Sequence, residues 1–263
     1  MPSGSDTAAG SRHGLARLLS KRGICSRSEA ARWIAAGRVS LSGRIVRDPE
    51  HPTPAAAEIA VDGIPVDCAR RVYLMLNKPR GLVTTTRDEH HRDMVYRCLD
   101  DAGLPWLAPV GRLDKASEGL LLFCNDPEWA ARITDSTHGP DKTYHVQVDA
   151  TPGAELLAAL RDGVDCDGEH LHAKSASLLR VGEKNAWLEI VLDEGRNRQI
   201  RRLLMAFGVV VRRLLRVSIG GLALGDLPKG QWRELNAEEV AAIGSTVVQV
   251  QAATCRNPRG RPD

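Results

Sequence analysis

The sequence predicts an α+β fold, on three observations. Strand-length apolar runs and helical periodicities are mixed along the chain, with many short hairpin-like connections. Two-residue turn signals, Ser42-Gly43 and Asp62-Gly63, sit between short alternating segments. Arg70-Arg71 separates an arginine-rich N-terminal stretch from a longer, more apolar one. The chain has 263 residues, enough for two domains.

The elements follow in order. Residues 1–12 are small and polar and read as a disordered leader. Leu15, Leu18 and Leu19 have helical spacing within 14–22, and Gly23 stops that helix. Ser26-Arg27-Ser28-Glu29 is a capping box that opens a second helix through Trp33 and Ile34 to Gly37. Residues 38–46 and 58–66 read as hairpins, joined by the loop 51–57. Residues 13–70 therefore form one small unit. Beyond Arg71, strands are expected at 72–76, 120–124, 143–148, 175–179 and 186–192. Helices are expected at 128–134, 154–161 and 198–207. This second unit spans 71–243, and 244–263 reads as a basic, flexible tail.

Composition excludes several classes. Apolar residues make up 43% of the chain, enough for a core and too many for a wholly disordered protein. Aromatics are only 4%, which argues against a surface built mainly of stacking rings. No stretch approaches the ~18 apolar residues of a membrane span, and the N-terminus lacks an apolar signal core. Six dispersed cysteines without a Cys-x-x-Cys fit a reducing cytoplasm. No glycine-rich nucleotide cradle appears, so no cofactor is expected. His90-His91 and His170-x-His172 lack supporting ligand spacing, so no metal is expected either.

Charge is distributed unevenly. The whole chain is +3, yet residues 11–50 carry nine basic groups against three acids, and 193–216 carry seven arginines against two acids. Two such stretches on a near-neutral background are the footprint of a polyanion ligand, although a solvated face gives the same pattern. Three constellations could carry chemistry. In residues 111–122, small and charged groups crowd before an apolar strand, and Asp114 is either a reactive carboxylate or a turn cap. In residues 194–203, a strand ends at Gly195 and an arginine-rich helix begins near Asn197, a phosphate site or an ordinary basic surface helix. A guanidinium from it could also hold a buried aspartate ionised. Tyr144 lies mid-strand and is either core or a stacking ring.

Read together, these stretches resemble the bacterial ribosomal RNA pseudouridine synthases of the small-subunit type. Residues 13–68 resemble their N-terminal alpha-L RNA-binding domain through Arg17-Leu18-Leu19, Gly23 to Arg27, Glu29-Ala30 and Gly37-Arg38-Val39. Residues 72–240 resemble the catalytic domain. The motifs are Leu76-Asn77-Lys78-Pro79-Arg80-Gly81, Gly111-Arg112-Leu113-Asp114, Gly119 to Leu122, Lys142-Thr143-Tyr144 and Glu194 to Arg202. Ile219 to Leu222 and Leu227 to Gly230 close the domain. Ser117 and Leu203 depart from the family's commoner Thr and Met. The resemblance implies a mixed, largely antiparallel sheet and isomerisation of a uridine in ribosomal RNA, or in an assembly intermediate. No membrane partner is expected, and because no long apolar helix face demands a partner, a monomer is expected.

The same resemblance implies residue roles. Asp114 matches the essential aspartate, Tyr144 the stacking tyrosine, and Arg201 the arginine paired with the aspartate. Arg112 matches the group that fills the gap left by the flipped nucleotide, and Lys78 and Pro79 shape the pocket floor. Arg196, Arg198 and Arg202, with Arg17, Arg22, Arg27 and Arg38 of the first domain, are expected on the RNA. Arg201 is expected within hydrogen-bond reach of Asp114, with Arg202 turned to solvent or RNA. The chemistry breaks a C–N bond and makes a C–C bond with no net electron transfer. A non-catalytic RNA-binding protein and an N-glycosidase using Asp114 with Glu118 are the rival readings.

Overall fold

The computed structural model describes residues 12–85, 94–100 and 103–244. The expected leader (Arg12 apart), His90-His91 and the expected tail beyond Gly244 lie outside the described residues. The N-terminal domain runs β1 (Arg12–Gly14), α1 (Leu15–Lys21), α2 (Arg27–Ala35), β2 (Val39–Leu41), β3 (Arg44–Ile45), β4 (Pro52–Pro54), β5 (Ile59–Val61) and β6 (Ile64–Pro65). Strands β3-β2-β5-β6 form one antiparallel sheet. Both expected turns hold positive φ at their two central residues, 44° and 80° at Ser42-Gly43 and 51° and 79° at Asp62-Gly63. That matches the twist of a tight hairpin. Leu15, Leu18, Leu19, Ile34, Val39 and Ile59 make a core of its own.

The capping box is half formed. Ser26 Oγ accepts the Glu29 amide at 3.0 Å, but the Glu29 carboxylate turns to Arg32 rather than back to the cap. Arg22 corrects a further expectation. It is buried, and its guanidinium donates to Val66 O (3.2 Å), Ala55 O (3.0 Å) and Ala57 O (2.5 Å). It staples the second hairpin to α1 and has little left to offer RNA. Arg38 is likewise engaged, to Asp62 and over the Trp33 ring.

The second domain runs β7 (Tyr73–Lys78), β8 (Ala108–Val110), β9 (Glu118–Cys124), α3 (Pro127–Thr134), β10 (Lys142–Val148), α4 (Ala154–Asp162) and the hairpin β11 (Val164–Cys166) and β12 (Glu169–Leu171). It continues with β13 (Ser175–Val181), β14 (Ala186–Leu192), α5 (Gln199–Ala206), β15 (Val211–Ile219), β16 (Leu222–Ala223), β17 (Trp232–Glu234) and α6 (Ala237–Gly244). One nine-stranded sheet has the order β13-β14-β10-β15-β9-β7-β17, with β8 on β9 and β16 on β15. All its pairings are antiparallel except β9 with β15. Strand β9 is buried along its whole length: Leu121 and Phe123 face one core, Leu120 and Leu122 the other. That explains its unbroken apolar run. Strand β10 alternates instead, burying Lys142, Tyr144, Val146 and Val148.

Gly119 makes the parallel joint possible. Its φ is +99°, and a Cβ there would lie 2.3 Å from Arg216 O and 2.9 Å from Arg216 N. Only glycine lets β15 approach so closely. The same joint brings Arg216 next to the turn that carries Asp114.

Candidate active site

The turn 111–117 links β8 to β9, and its backbone is held from Leu113 to Ser117. Thr84 Oγ1 donates to Leu113 O (2.8 Å) and accepts the Leu113 amide (3.3 Å). Lys78 Nζ donates to Asp114 O (3.2 Å), Ser117 O (2.8 Å) and Pro79 O (3.1 Å). The Gly81 amide donates to Lys115 O (2.7 Å), and Arg201 Nη2 donates to Ala116 O (3.2 Å). The Ser117 amide closes the turn on Asp114 O (3.0 Å). Five consecutive carbonyls thus have donors, each supplied from outside the turn by Thr84, Lys78, Gly81 or Arg201. The Asp114 side chain cannot drift with its backbone.

Above this turn opens a cleft of roughly 910 Å³. Asp114, Tyr144, Arg112, Arg196 and Arg198 line it, together with Lys142 and Arg216; Lys78, Arg201 and Arg202 do not. The volume suits a nucleotide-sized ligand. Leu192, Ile200, Leu214 and Ile219 supply apolar wall.

The arginine in contact with Asp114 is Arg198, not Arg201. Arg198 Nη1 lies 3.4 Å from Asp114 Oδ2. Helix α5 begins one residue later than expected. Arg198 is its N-cap, in the left-handed region at φ 50° and ψ 30°. That backbone turn swings its side chain into the cleft, a conformation non-glycine residues hold only where the surroundings enforce it. Gln199 supplies the enforcement: Oε1 accepts the Arg196 amide (3.2 Å), and Nε2 donates to Glu194 Oε1 (2.6 Å) and His172 O (3.0 Å).

Arg201 instead braces the turn from behind. Beside its bond to Ala116 O, Nη1 donates to Val211 O at 3.3 Å. Burial, then the Arg198 charge, lower its pKa, while Asp114 opposes the shift. Arg202 also departs from expectation. It pairs with Glu169 (2.5 Å) and Asp167 (3.3 Å) and donates to Cys166 O (2.9 Å), tying α5 to the β11–β12 hairpin. Arg196 pairs with Glu194 at 2.8 Å.

Lys78 is fully buried, a pocket-floor strut rather than a surface for RNA. Desolvation pulls its pKa down to about 8, against the opposing charges of Glu118 and Asp114. Glu118 is withdrawn from the cleft by Arg213 (3.1 Å) and Lys229 (2.6 Å). Burial raises its pKa, but those two cations outweigh burial and the net shift is downward. The second carboxyl that an N-glycosidase would use is therefore locked away from Asp114.

Sequence reasoning missed Lys142 and Arg216 as individual site residues. Both are buried and line the cleft. Desolvation, then the Arg216 charge, lower the Lys142 pKa, with Asp141, Asp193 and Asp135 opposing. The available signal was two cations at core positions of strands, Lys142 two residues before Tyr144 and Arg216 inside an apolar run.

Comparison with known proteins bears on the family and the fold. The family model described as RNA pseudouridylate synthase matches residues 72–206, and that of the S4 domain matches 14–54. The chain is 36% identical over 234 residues to an uncharacterized RNA pseudouridine synthase of Aquifex aeolicus, covering 88% of this chain and 93% of that one. It is 33% identical over 232 residues to the ribosomal large subunit pseudouridine synthase B of Bacillus subtilis, covering 87% and 94%. A solved pseudouridylate synthase aligns with a TM-score of 0.61 at 30% identity, over 88% of this chain and 99% of that one. The chain belongs to the RNA pseudouridylate synthase family, and it is an isomerase with an N-terminal S4 domain.

Proposed function

We propose that the substrate is a uridine in ribosomal RNA of the large subunit, and that Asp114 is the reacting carboxylate. The motifs resemble the small-subunit type; the Bacillus subtilis relative, a large-subunit synthase by name, favours the large subunit instead. The observation that carries the residue assignment is the contrast among the cleft's carboxylates. Glu194 is tied to Arg196 and Gln199, and Asp135 accepts the amides of Thr137 and His138 at 2.7 Å. Asp114, on the most firmly held backbone, has a single loose partner among the described residues. A group kept in place yet unengaged is poised to react.

Tyr144 stacks on the flipped base, and Arg112 and Arg198, at the cleft mouth, meet the RNA around it. The S4 domain adds phosphate contacts. Flipping costs a few kcal/mol, offset by these contacts. The reaction needs no cofactor, since the uracil leaves C1′ through N1 and returns through C5. We place the enzyme in the cytoplasm; among the described residues no helix is long and apolar enough to cross a membrane. Carbodiimide mapping of both ribosomal RNAs, from cells with and without this protein, tests the reading. A single large-subunit pseudouridine should vanish without it. Loss of a small-subunit site restores the first resemblance, and no loss at all removes ribosomal RNA as substrate.

A further inference from the structure

Two of the cleft's cations are buried without a counter-ion among the described residues. Lys142 is 9% exposed and Arg216 is 5% exposed, and neither forms an ion pair among the described residues. They belong to adjacent strands: Arg216 is the register partner of Tyr144, and Lys142 precedes Tyr144 by two residues on the same buried face of β10. Arg216 is fixed by its Nε bond to Leu120 O (2.8 Å), while its Nη2 has no hydrogen-bond partner. The cleft's free carboxylate, Asp114, is in contact with Arg198 instead. Buried charges without partners are costly, and a fold tolerates them where a ligand completes them.

We propose that Lys142 and Arg216 receive the uracil ring and hold the negative charge it carries once detached from the ribose. The proposal rests on the reading of this cleft as a pseudouridine synthase site. When the C1′–N1 bond breaks, both electrons leave on N1, and the charge spreads to the O2 and O4 oxygens. Asp114 either bonds to C1′ or removes the ribose 2′ proton, and both routes release the same uracil anion. C5 then bonds to C1′, expelling the Asp114 carboxylate on the first route, or adding as the 2′ carbon regains its proton from Asp114 on the second; C5 gives its proton to water and N1 takes one from water, so atoms and electrons balance. The anion must stay bound while it turns. Fixed cations serve that purpose without following one particular atom.

A backbone phosphate is the competing occupant, and the surroundings disfavour it. The exposed arginines, Arg112 and Arg198, stand where phosphates pass. Lys142 and Arg216 share their stretch of cleft with Leu192, Leu214 and Ile219, a setting for a flat ring with carbonyl oxygens.

Two measurements test this. The first is equilibrium binding of 5-nitrouracil, an anion at neutral pH, against neutral uracil and against inorganic phosphate. Wild type should prefer the anion by about tenfold, and Lys142→Met and Arg216→Met should lose the preference. Lys142→Arg and Arg216→Lys keep the charge and should retain most of it. The second is the single-turnover rate of C1′–N1 cleavage, read as loss of the N-linked nucleoside, on RNA carrying uridine or 5-fluorouridine at the target; the latter has no C5 proton to lose and stops at its C5-linked adduct. The Met variants should slow uridine by about 100-fold, and 5-fluorouridine, a better leaving group, much less. Lys142→Met should also melt higher than wild type, because it removes a buried like-charge repulsion; a merely structural lysine would melt lower. Equal slowing of both substrates, or no anion preference in wild type, overturns the proposal. Phosphate displacing 5-nitrouracil from wild type but not from the variants assigns the pair to phosphate. Anion preference through the pair in a wild type that forms no pseudouridine overturns the functional reading and leaves the charge pocket standing.

Discussion

Leu113 to Ser117 present five carbonyls in a row, each with a donor, and the Asp114 carboxylate among them has one partner at 3.4 Å. Replacing that carboxylate by an amide changes little volume and none of these backbone bonds. Asp114→Asn should therefore lower pseudouridine formation by roughly 10³-fold or more while leaving RNA affinity unchanged. Mass spectrometry of the product RNA and a parallel filter-binding titration check both halves. The two neighbouring arginines should separate. Arg201→Met leaves Ala116 O and Val211 O without their donor, a loss of about 1–3 kcal/mol, so it should lower melting temperature and turnover together. Arg198→Met touches only the exposed pair and should lower turnover with the melting temperature within about 2 °C of wild type. Both variants melting alike would mean that Arg201 does not brace the turn. Asp114 and Tyr144 were readable as candidates from residue type and motif order. The partner of Asp114 was not, because it depends on one residue of helix start and on a left-handed backbone at Arg198 that no periodicity encodes.

Strands that alternate or run fully apolar were legible: β14 was placed residue for residue at 186–192, and β10 and β13 to within two residues. Strand β15 was read as charge. Its nine residues carry Arg212, Arg213 and Arg216, and the buried one stands at a core position where an apolar residue would have shown the period. Strand β7 was expected to end at Leu76 but runs to Lys78, because three carbonyls satisfy the buried ammonium. That burial has a measurable sign. The folded pKa of Lys78 is about 8, below the ordinary lysine value. Below pH 8 both folded and unfolded chains carry the proton, and the cost of burying the charge is constant. As pH rises from about 8 to the ordinary value of about 10.4, the unfolded chain keeps a proton that the folded one has released, so this contribution to stability rises with pH. The stability difference between wild type and Lys78→Met should shift in favour of wild type over that window, by no more than about 1.4 kcal/mol per pH unit. Urea unfolding at successive pH values measures it, and a flat difference would mean that Lys78 is not titrating in the folded state.

At the scale of the molecule, the order of the two domains was legible because each has its own hydrophobic pattern and its own charge. The parallel joint of β9 with β15 was not, since it brings together residues nearly a hundred positions apart and depends on one glycine. Among the described residues, a few polar contacts join the domains. Lys21 Nζ meets Glu128 at 2.7 Å, Arg71 donates to Lys21 O (2.7 Å), Arg70 pairs with Glu234 (3.0 Å), and Asn125 Nδ2 donates to Arg70 O (2.8 Å). The core of the N-terminal domain is a separate cluster from those flanking the large sheet. Removing residues 1–69 keeps the Arg70 carbonyl that Asn125 uses at 2.8 Å, so the catalytic domain should remain folded. RNA binding should weaken in a countable way. Of the basic groups in residues 11–50, Arg22, Arg32 and Arg38 are committed within the domain and Lys21 to Glu128. Arg12, Arg17, Arg44 and Arg47 are exposed without a carboxylate partner among the described residues, and Arg27 has only a loose one at 3.9 Å. Each phosphate contact contributes about 0.7–0.9 to the slope of log K against log salt, so five lost contacts should make that slope shallower by roughly 4. A truncated enzyme that binds ribosomal RNA with the full-length slope would show that these arginines do not meet phosphate. A slope reduced by clearly more than that would mean that the committed cations leave their partners when RNA arrives.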